Sequence, residues 1–500
     1  MIADTLEIYR RYTGAAFDRI KLYDNMAEMW EARSAEYADL TAIADNGSTY
    51  TYRQLAEDVA RFRTVLRRHV SAPARVALLA ANSYDWVKAF LAIVTLGCTA
   101  VALPAHLDAK TVAGTQKLFG FAAIVTDNPE KAARCQDVSV ISAAETADTP
   151  TGAAACKGSD GCTIIMTGGT TGMPKGALLS HTAVLQGVVN SCLGYTNVFE
   201  QRYMLVLPLT HVFGLIRNLL ASLYTGSTLL ICRDNKNMFR DAAAFQPTIM
   251  VLVPALAEMA LTLSKKFGRN MFGNSLHTLI CGAANVPQYL VEEYHRMGVA
   301  LYPGYGLTES ANLVSGNPEA LRKPESVGLI YGGMDYKVVD GELWLKGVNM
   351  MDGYATAEDN ATAYEDGYFK TGDLVRIDDE GFLYITGRIK EIIVLSNGEN
   401  VSPAELEVKF YSLDVVQDCL VYDINENGKE QLVLEVLPRM SSVKAMGIED
   451  IYSYLKDEVG KINETLPTFE RINKIIIRDT DFIRTPAMKI ARNLNGNVKK

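Results

Sequence analysis

Cysteine is sparse in this 500-residue chain, and its eight copies (Cys98, Cys135, Cys156, Cys162, Cys192, Cys232, Cys281, Cys419) form no CxxC pair and no Cys/His cluster of zinc-site spacing. A disulfide framework and a zinc module are therefore set aside, and the thiols read as reduced and structural. The start, MIADTLEIYRRYTG, lacks the basic residues, apolar run and small-residue cleavage site of a secretory signal. No apolar run is clean enough for a bilayer span, since VALLAANSYDWVKAFLAIVTLGCTAVALPA is interrupted by Asn82, Asp85 and Lys88. Positive charge is not in excess. The net charge of -9 argues against a broad electrostatic footprint for nucleic acid or an anionic membrane. Internal repeats and low-complexity tracts are missing as well. Together these absences predict a soluble, cytoplasmic protein whose partners are small molecules.

What is present is a core. With 48% hydrophobic residues over 500 positions, the chain can bury a large interior and should divide into more than one domain. Runs such as RVALLA, CTAVALP, FAAIVTD, TLLICR, TIMVLVP and LHTLICG alternate with segments of helical period such as YTYRQLAEDVARFRTVLRRHV. Alternation of this kind predicts strand-helix-strand units with largely parallel sheets. After about residue 335 the texture changes to short, Gly-punctuated strands (DYKVVDGELWLKG, GYFKTGDLVRIDDEGFLYITG), which predict an antiparallel subdomain. Beyond GRIKEIIV come a helix near SPAELEVKF, the strands VVQDCLVYDI and KEQLVLEVLP, a helix at IEDIYSYLKDEVGKI and a last strand at RINKIIIRD. These suffice for a small α+β domain, with Gly387–Lys390 as its boundary.

Chemistry enters at TGGTTGMPKG, Thr167 to Gly176, which follows the apolar run GCTIIM and precedes ALLSHTAVLQGVVNS. Glycines and hydroxyls crowded ahead of one lysine can turn backbone N–H groups, Thr170, Thr171 and the Lys175 charge toward phosphate oxygens. It is not a Walker A loop, because Pro174 precedes the lysine and Gly176 follows it where that pattern needs Ser or Thr. The segment closely resembles the phosphate-loop signature of the acyl-adenylate-forming superfamily: acyl- and aryl-CoA synthetases, luciferase-like enzymes and peptide-synthetase adenylation domains.

Further segments carry the same resemblance. YGLTES matches a Tyr-Gly-x-Thr-Glu station, with Tyr305, Gly306 and Thr308 toward the nucleotide and Glu309 as a carboxylate for Mg²⁺, which prefers hard oxygen ligands. GYFKTGDL resembles the ribose-binding segment, where an ionised Asp373 would accept both ribose hydroxyls. In GRIKEIIVLSNGENVSPAELE, Arg388 would support the nucleotide and Lys390 would be the hinge. RTPAMKIARN places Lys489 at the family's catalytic lysine. Between these, YTYRQLAE (50–57) resembles a recurrent N-terminal segment and LPLTHVFG (207–214) an acyl-site segment containing His211. CGAANVP (281–287) resembles the adenine-contact segment, with Gly282, Ala283 and Ala284. The resemblance runs from about residue 25 to residue 493, with Thr167, Gly168, Gly169 and Gly172 completing the phosphate loop. Gly168, Asn397 and Met488 stand where Ser, Gly and Gly are frequent, and none of the three removes a charged or metal-binding group.

The resemblance implies an α/β fold: a large N-terminal adenylation domain (1–389) of two αβ-layered subdomains plus a small β-rich one, then a small mobile α+β domain (390–500) carrying Lys489. It implies ATP, Mg²⁺ and CoA, and a carboxylic acid activated as its adenylate in a reaction that uses domain alternation. LPLTHVFG offers His211 and Phe213 but no acid to pair an α-ammonium, so an α-amino acid is disfavoured and a fatty or aryl acid expected. The alternative is a stand-alone ligase that loads the acid onto the phosphopantetheine of a separate carrier protein. A non-catalytic nucleotide sensor is disfavoured because Glu309, Asp373 and Lys489 are all present. A luciferase-like oxygenase carries no signature of its own in these motifs.

Overall fold

The computed structural model describes residues 9–167, 175–395, 399–426, 429–484 and 490–492. Runs of Val, Ile and Leu without alternation make poor solvent-facing strands, so they gather centrally and helices cover their faces. Two layered sheets result. In the first, Arg75–Leu79 lies between Thr99–Ala102 and Ala123–Thr126, all parallel, with Ser139–Ser142 beyond and Gly161–Thr167 beside Thr99–Ala102. Lys175–Ser180 then pairs antiparallel with Gly161–Thr167, and Gly353–Tyr354 closes that edge. In the second sheet, Thr41–Asp45, Thr228–Ile231, Arg202–Leu205, Ile249–Leu252, Thr278–Cys281 and Ala300–Tyr305 are parallel neighbours in that order. The β-rich region is an antiparallel extension of this sheet. It runs through Ser315–Gly316 and Gly328–Ile330 to Phe382–Arg388, Tyr368–Ile377, Glu342–Gly347 and Met334–Val339.

The longest apolar stretch supplies the helix Tyr84–Thr95, in which every residue except Asp85 is buried. Its one cation is satisfied locally, Lys88 Nζ bonding Asp85 Oδ1 at 2.7 Å while the stem lies in the core. Among the described residues no helix is long and apolar enough to cross a membrane. Helix starts follow the sequence closely. Thr51 and Gln54 form a capping box ahead of Tyr52–Arg67, and Ser180 caps His181–Asn190 by accepting the Ala183 amide. Loss of either cap would cost about 1 kcal/mol.

His181 opens its helix fully buried, Nδ1 accepting the Met26 amide at 3.3 Å and Nε2 without a partner among the described residues. Burial lowers its pKa from 6.5 to about 4. The folded value lies below the unfolded one, so the unfolded chain binds the proton first and stability falls as pH drops from 6.5 to about 4. The full penalty is about 3 kcal/mol. His181→Gln should show a shallower fall of its urea midpoint across that window than the wild type. Parallel declines would remove His181 from the account.

Beyond Arg388, the helix Pro403–Tyr411 packs on the hairpin of Val416–Glu426 and Lys429–Pro438, and Lys474–Ile477 adds a parallel third strand. This α+β unit has a core of its own, centred on Leu406, Phe410, Val421, Leu434, Leu455 and Val459. An ion pair ties it to the larger part. Arg439 donates to Glu258 at 2.8 Å and lies over the Tyr289 ring at 4.3 Å.

Candidate active site

In open α/β sheets, ligands bind beyond the carboxyl ends of the parallel strands. Here those ends open on a cleft of about 1260 Å³. Its walls come from both layered sheets, and the C-terminal unit contributes Leu420, Val421, Tyr422, Asp423 and Arg492.

At one rim, Thr167 and Lys175 face each other across the antiparallel pair and both line the cleft. Gly168, Gly169, Thr170, Thr171 and Gly172 lie outside the described residues. Lys175 Nζ is 2.9 Å from Asp359 Oδ1 and 4.7 Å from the centre of the Tyr354 ring. The Thr356 hydroxyl and the Lys175 ammonium hold the Asp359 carboxyl below the usual carboxylate range. Thr308 and Glu309 sit in the 3₁₀ turn Thr308–Ser310 that follows Ala300–Tyr305. Tyr354 donates its hydroxyl to Glu309 Oε1 at 2.7 Å, so one tyrosine touches the lysine with its face and the glutamate with its edge. Burial and then the Glu309 carboxylate raise the Tyr354 pKa, which keeps the phenol a donor.

Gly306 must be glycine. A Cβ there would fall 1.4 Å from the Asn312 carbonyl oxygen, which lets the chain turn from strand into the Thr308–Glu309 segment. Tyr305 donates to Asp373 Oδ2 at 2.6 Å, and Arg388 Nε reaches Asp373 Oδ1 at 2.6 Å. Asp373 is only 1% exposed and lies behind these two rather than on the cleft wall. Burial and the Asp373 charge keep the Tyr305 phenol protonated; for Arg388, burial works against the cation but Asp373 outweighs it.

Gly282 and Ala283 follow the strand Thr278–Cys281 into the cleft, Ala283 in the left-handed region at φ 68°. Ala284 is exposed and outside the lining. His211 is half-buried and lines the cleft, just before a π-helical segment, Phe213–Leu220. Lys390 sits in the 3₁₀ turn Ile389–Glu391 at the cleft edge. Lys489 lies outside the described residues. Among the described residues no group of three or more His, Cys, Asp or Glu is disposed to hold a metal by itself.

Among the cleft residues that no motif marks are Tyr354, Asp359 and Arg217. Tyr354 and Asp359 belong to no motif, and GYATAED carries no signal of its own. Arg217 had one, a lone charge within the apolar run FGLIRNLLASLY.

Two layered sheets sharing one cleft, with a small α+β unit at its mouth, define a ligand-binding α/β protein in the class of the layered nucleotide-binding folds. The chain belongs to the AMP-binding enzyme family, whose model matches residues 30–355, and the model of the AMP-binding enzyme C-terminal domain matches residues 390–496. A feruloyl-CoA synthase from Amycolatopsis is 28% identical over 79% of this chain and 85% of its own length. An indoleacetate–CoA ligase from Aromatoleum aromaticum is 34% identical over 55% of this chain and 57% of its own. The fold is also that of an o-succinylbenzoate CoA synthetase from Bacillus subtilis solved with its acyl-adenylate intermediate, at TM-score 0.79 and 24% identity over 96% of this chain and 99% of that one.

Proposed function

We propose that this chain is an ATP-dependent carboxylic acid:CoA ligase that works through an acyl-adenylate on an aryl or aliphatic acid lacking an α-amino group. The observation that carries the reading is the joint placement of Lys175, Glu309, Tyr305 and Arg388 on one cleft, in a family whose relatives are named CoA ligases.

A free carboxylate is a poor acyl donor because oxide is a poor leaving group. Attack of one carboxylate oxygen on the α-phosphorus releases pyrophosphate and makes AMP the leaving group; attack of the CoA thiol on the carbonyl then releases AMP. Catalysis of the first step is charge placement. Lys175, with Thr167 and the loop Gly168, Gly169, Thr170, Thr171 and Gly172, is assigned to the β- and γ-phosphates, Thr308 to the α-phosphate, and Lys489 to the bridge between acid and α-phosphate. Asp373 accepts ribose hydroxyls: a carboxylate has about four lone-pair sites, and the half-exposed Arg388 side chain can swing aside to uncover them. Gly282 and Ala283 border the purine, and His211 faces the acid. The donor set suits Mg²⁺, which takes one or two carboxylates plus substrate phosphates, so Glu309 would hold it, with Tyr354 orienting the carboxylate. Bound there, the ion supplies Lewis-acid neutralisation of phosphate charge.

Residues 1–389 and 390–500 are taken as the two moving units, with Lys390 as the pivot that absorbs the backbone change between the half-reactions. Eight unpaired cysteines fit a reducing compartment, hence the cytoplasm. The test uses an acid labelled with ¹⁸O on both carboxylate oxygens. One label should leave in AMP and one stay in the thioester. Label in inorganic phosphate, with ADP, would replace the adenylate by an acyl phosphate and overturn the reading.

A further inference from the structure

The π-helical segment Phe213–Leu220, which begins two residues after His211, carries Arg217 into the same cleft. Arg217 is only 3% exposed, and a guanidinium stays protonated at any working pH. Buried cations are ordinarily paired with a carboxylate. Among the described residues Arg217 has no such ion pair; its NH1 group donates to the Ser191 carbonyl, its Cζ lies 5.3 Å from the centre of the Tyr195 ring, and its Nε has no hydrogen-bond partner.

Its described neighbours are the neutral Tyr195, Tyr203, Tyr331 and Cys192, and of these the buried Tyr203 hydroxyl has no hydrogen-bond partner among the described residues. Tyr195 donates its hydroxyl to the same Ser191 carbonyl at 2.6 Å, and its ring lies 5.6 Å from that of Tyr302. Tyr9 donates to the Gly316 and Leu329 carbonyls and stacks on Tyr331 at 4.6 Å. Tyr9, Tyr195, Tyr302 and Tyr331 all line the cleft, so this end of it is an aromatic-walled slot around one buried cation. A slot of this kind suits an aryl or extended acyl body that ends in an anion.

We propose that the acid activated here carries a second carboxylate, and that Arg217 receives it while the first is adenylated. The proposal rests on the ligase reading above and names the class of its substrate. The same cation would penalise a plain monoacid, whose apolar end would leave Arg217 buried and unpaired.

The test compares length-matched acids: hexanoate with adipate, octanoate with suberate, and phenylpropanoate with its ring-carboxylated derivatives. Thioester formation by the wild type should favour at least one diacid over its monoacid partner by at least ~100-fold in kcat/KM. Arg217→Met should collapse that ratio toward one, with KM for ATP and for CoA unmoved, and Arg217→Lys, which keeps a charge without the planar fork, should restore part of it. Equal turnover of every pair by the wild type would overturn the proposal, as would a uniform loss across both acids in Arg217→Met. If no acid yields a thioester, the ligase reading itself fails, and calorimetry on the wild type decides the slot. Diacids that bind where their monoacid partners do not would uphold the role of Arg217; equal binding, or none, would overturn it.

Discussion

Alanine in place of Lys489 is expected to slow adenylate formation at least ~100-fold while transfer from a preformed acyl-adenylate to CoA is largely retained. The asymmetry follows from the charges. In the first half-reaction an anionic carboxylate must approach an anionic phosphate, and a cation that touches both lowers that barrier. In the second, a thiol attacks a carbonyl already activated by its AMP leaving group, and no such bridge is needed. The assignment rests on RTPAMKIARN, where Lys489 follows Thr485 and Pro486 in a chain that carries the remaining stations. The check is to measure pyrophosphate release and single-turnover transfer separately. Equal losses in both would dismiss the role.

The second large effect is at Glu309. Glu309→Gln should lower adenylation on the order of 10²–10³-fold and raise the Mg²⁺ concentration needed for half-maximal rate, because an amide oxygen is a weaker ligand for a hard cation. Tyr354→Phe removes only the hydroxyl that donates to Glu309 Oε1 at 2.7 Å, and it keeps the ring beside Lys175. A ~10-fold loss is expected there, with the same rise in Mg²⁺ requirement, as for other groups that orient a metal-binding carboxylate. A Tyr354→Phe protein with unaltered Mg²⁺ dependence would show that the hydroxyl positions nothing.

Much of this architecture was legible in the chain. Apolar runs such as RVALLA and LHTLICG mark the strands Arg75–Leu79 and Thr278–Cys281 because a strand covered on both faces needs no polar alternation. The lining of the cleft was legible where it follows a motif, as at Tyr305, Gly306 and Glu309. It was not where contact joins distant segments. Tyr354 meets Glu309 across 45 positions, and only the edge pairing of Gly353–Tyr354 with Lys175–Ser180 brings it there. The π-helix at Phe213–Leu220 was equally hidden, since eight residues are too few for hydrophobic period to separate its winding from that of an α-helix. Arg217 read as one charge in an apolar run; its burial without a carboxylate emerges only from the packing around it.

The most direct test of the account follows pyrophosphate from purified protein with ATP, Mg²⁺ and a panel of mono- and dicarboxylic acids, with and without CoA. Sustained release that requires both an acid and CoA, with AMP and a thioester formed in equal amounts, is the result predicted. A single burst of pyrophosphate that CoA cannot extend would contradict CoA as the acceptor and direct the search to a carrier-protein thiol. No acid-dependent release at all would contradict the ligase itself.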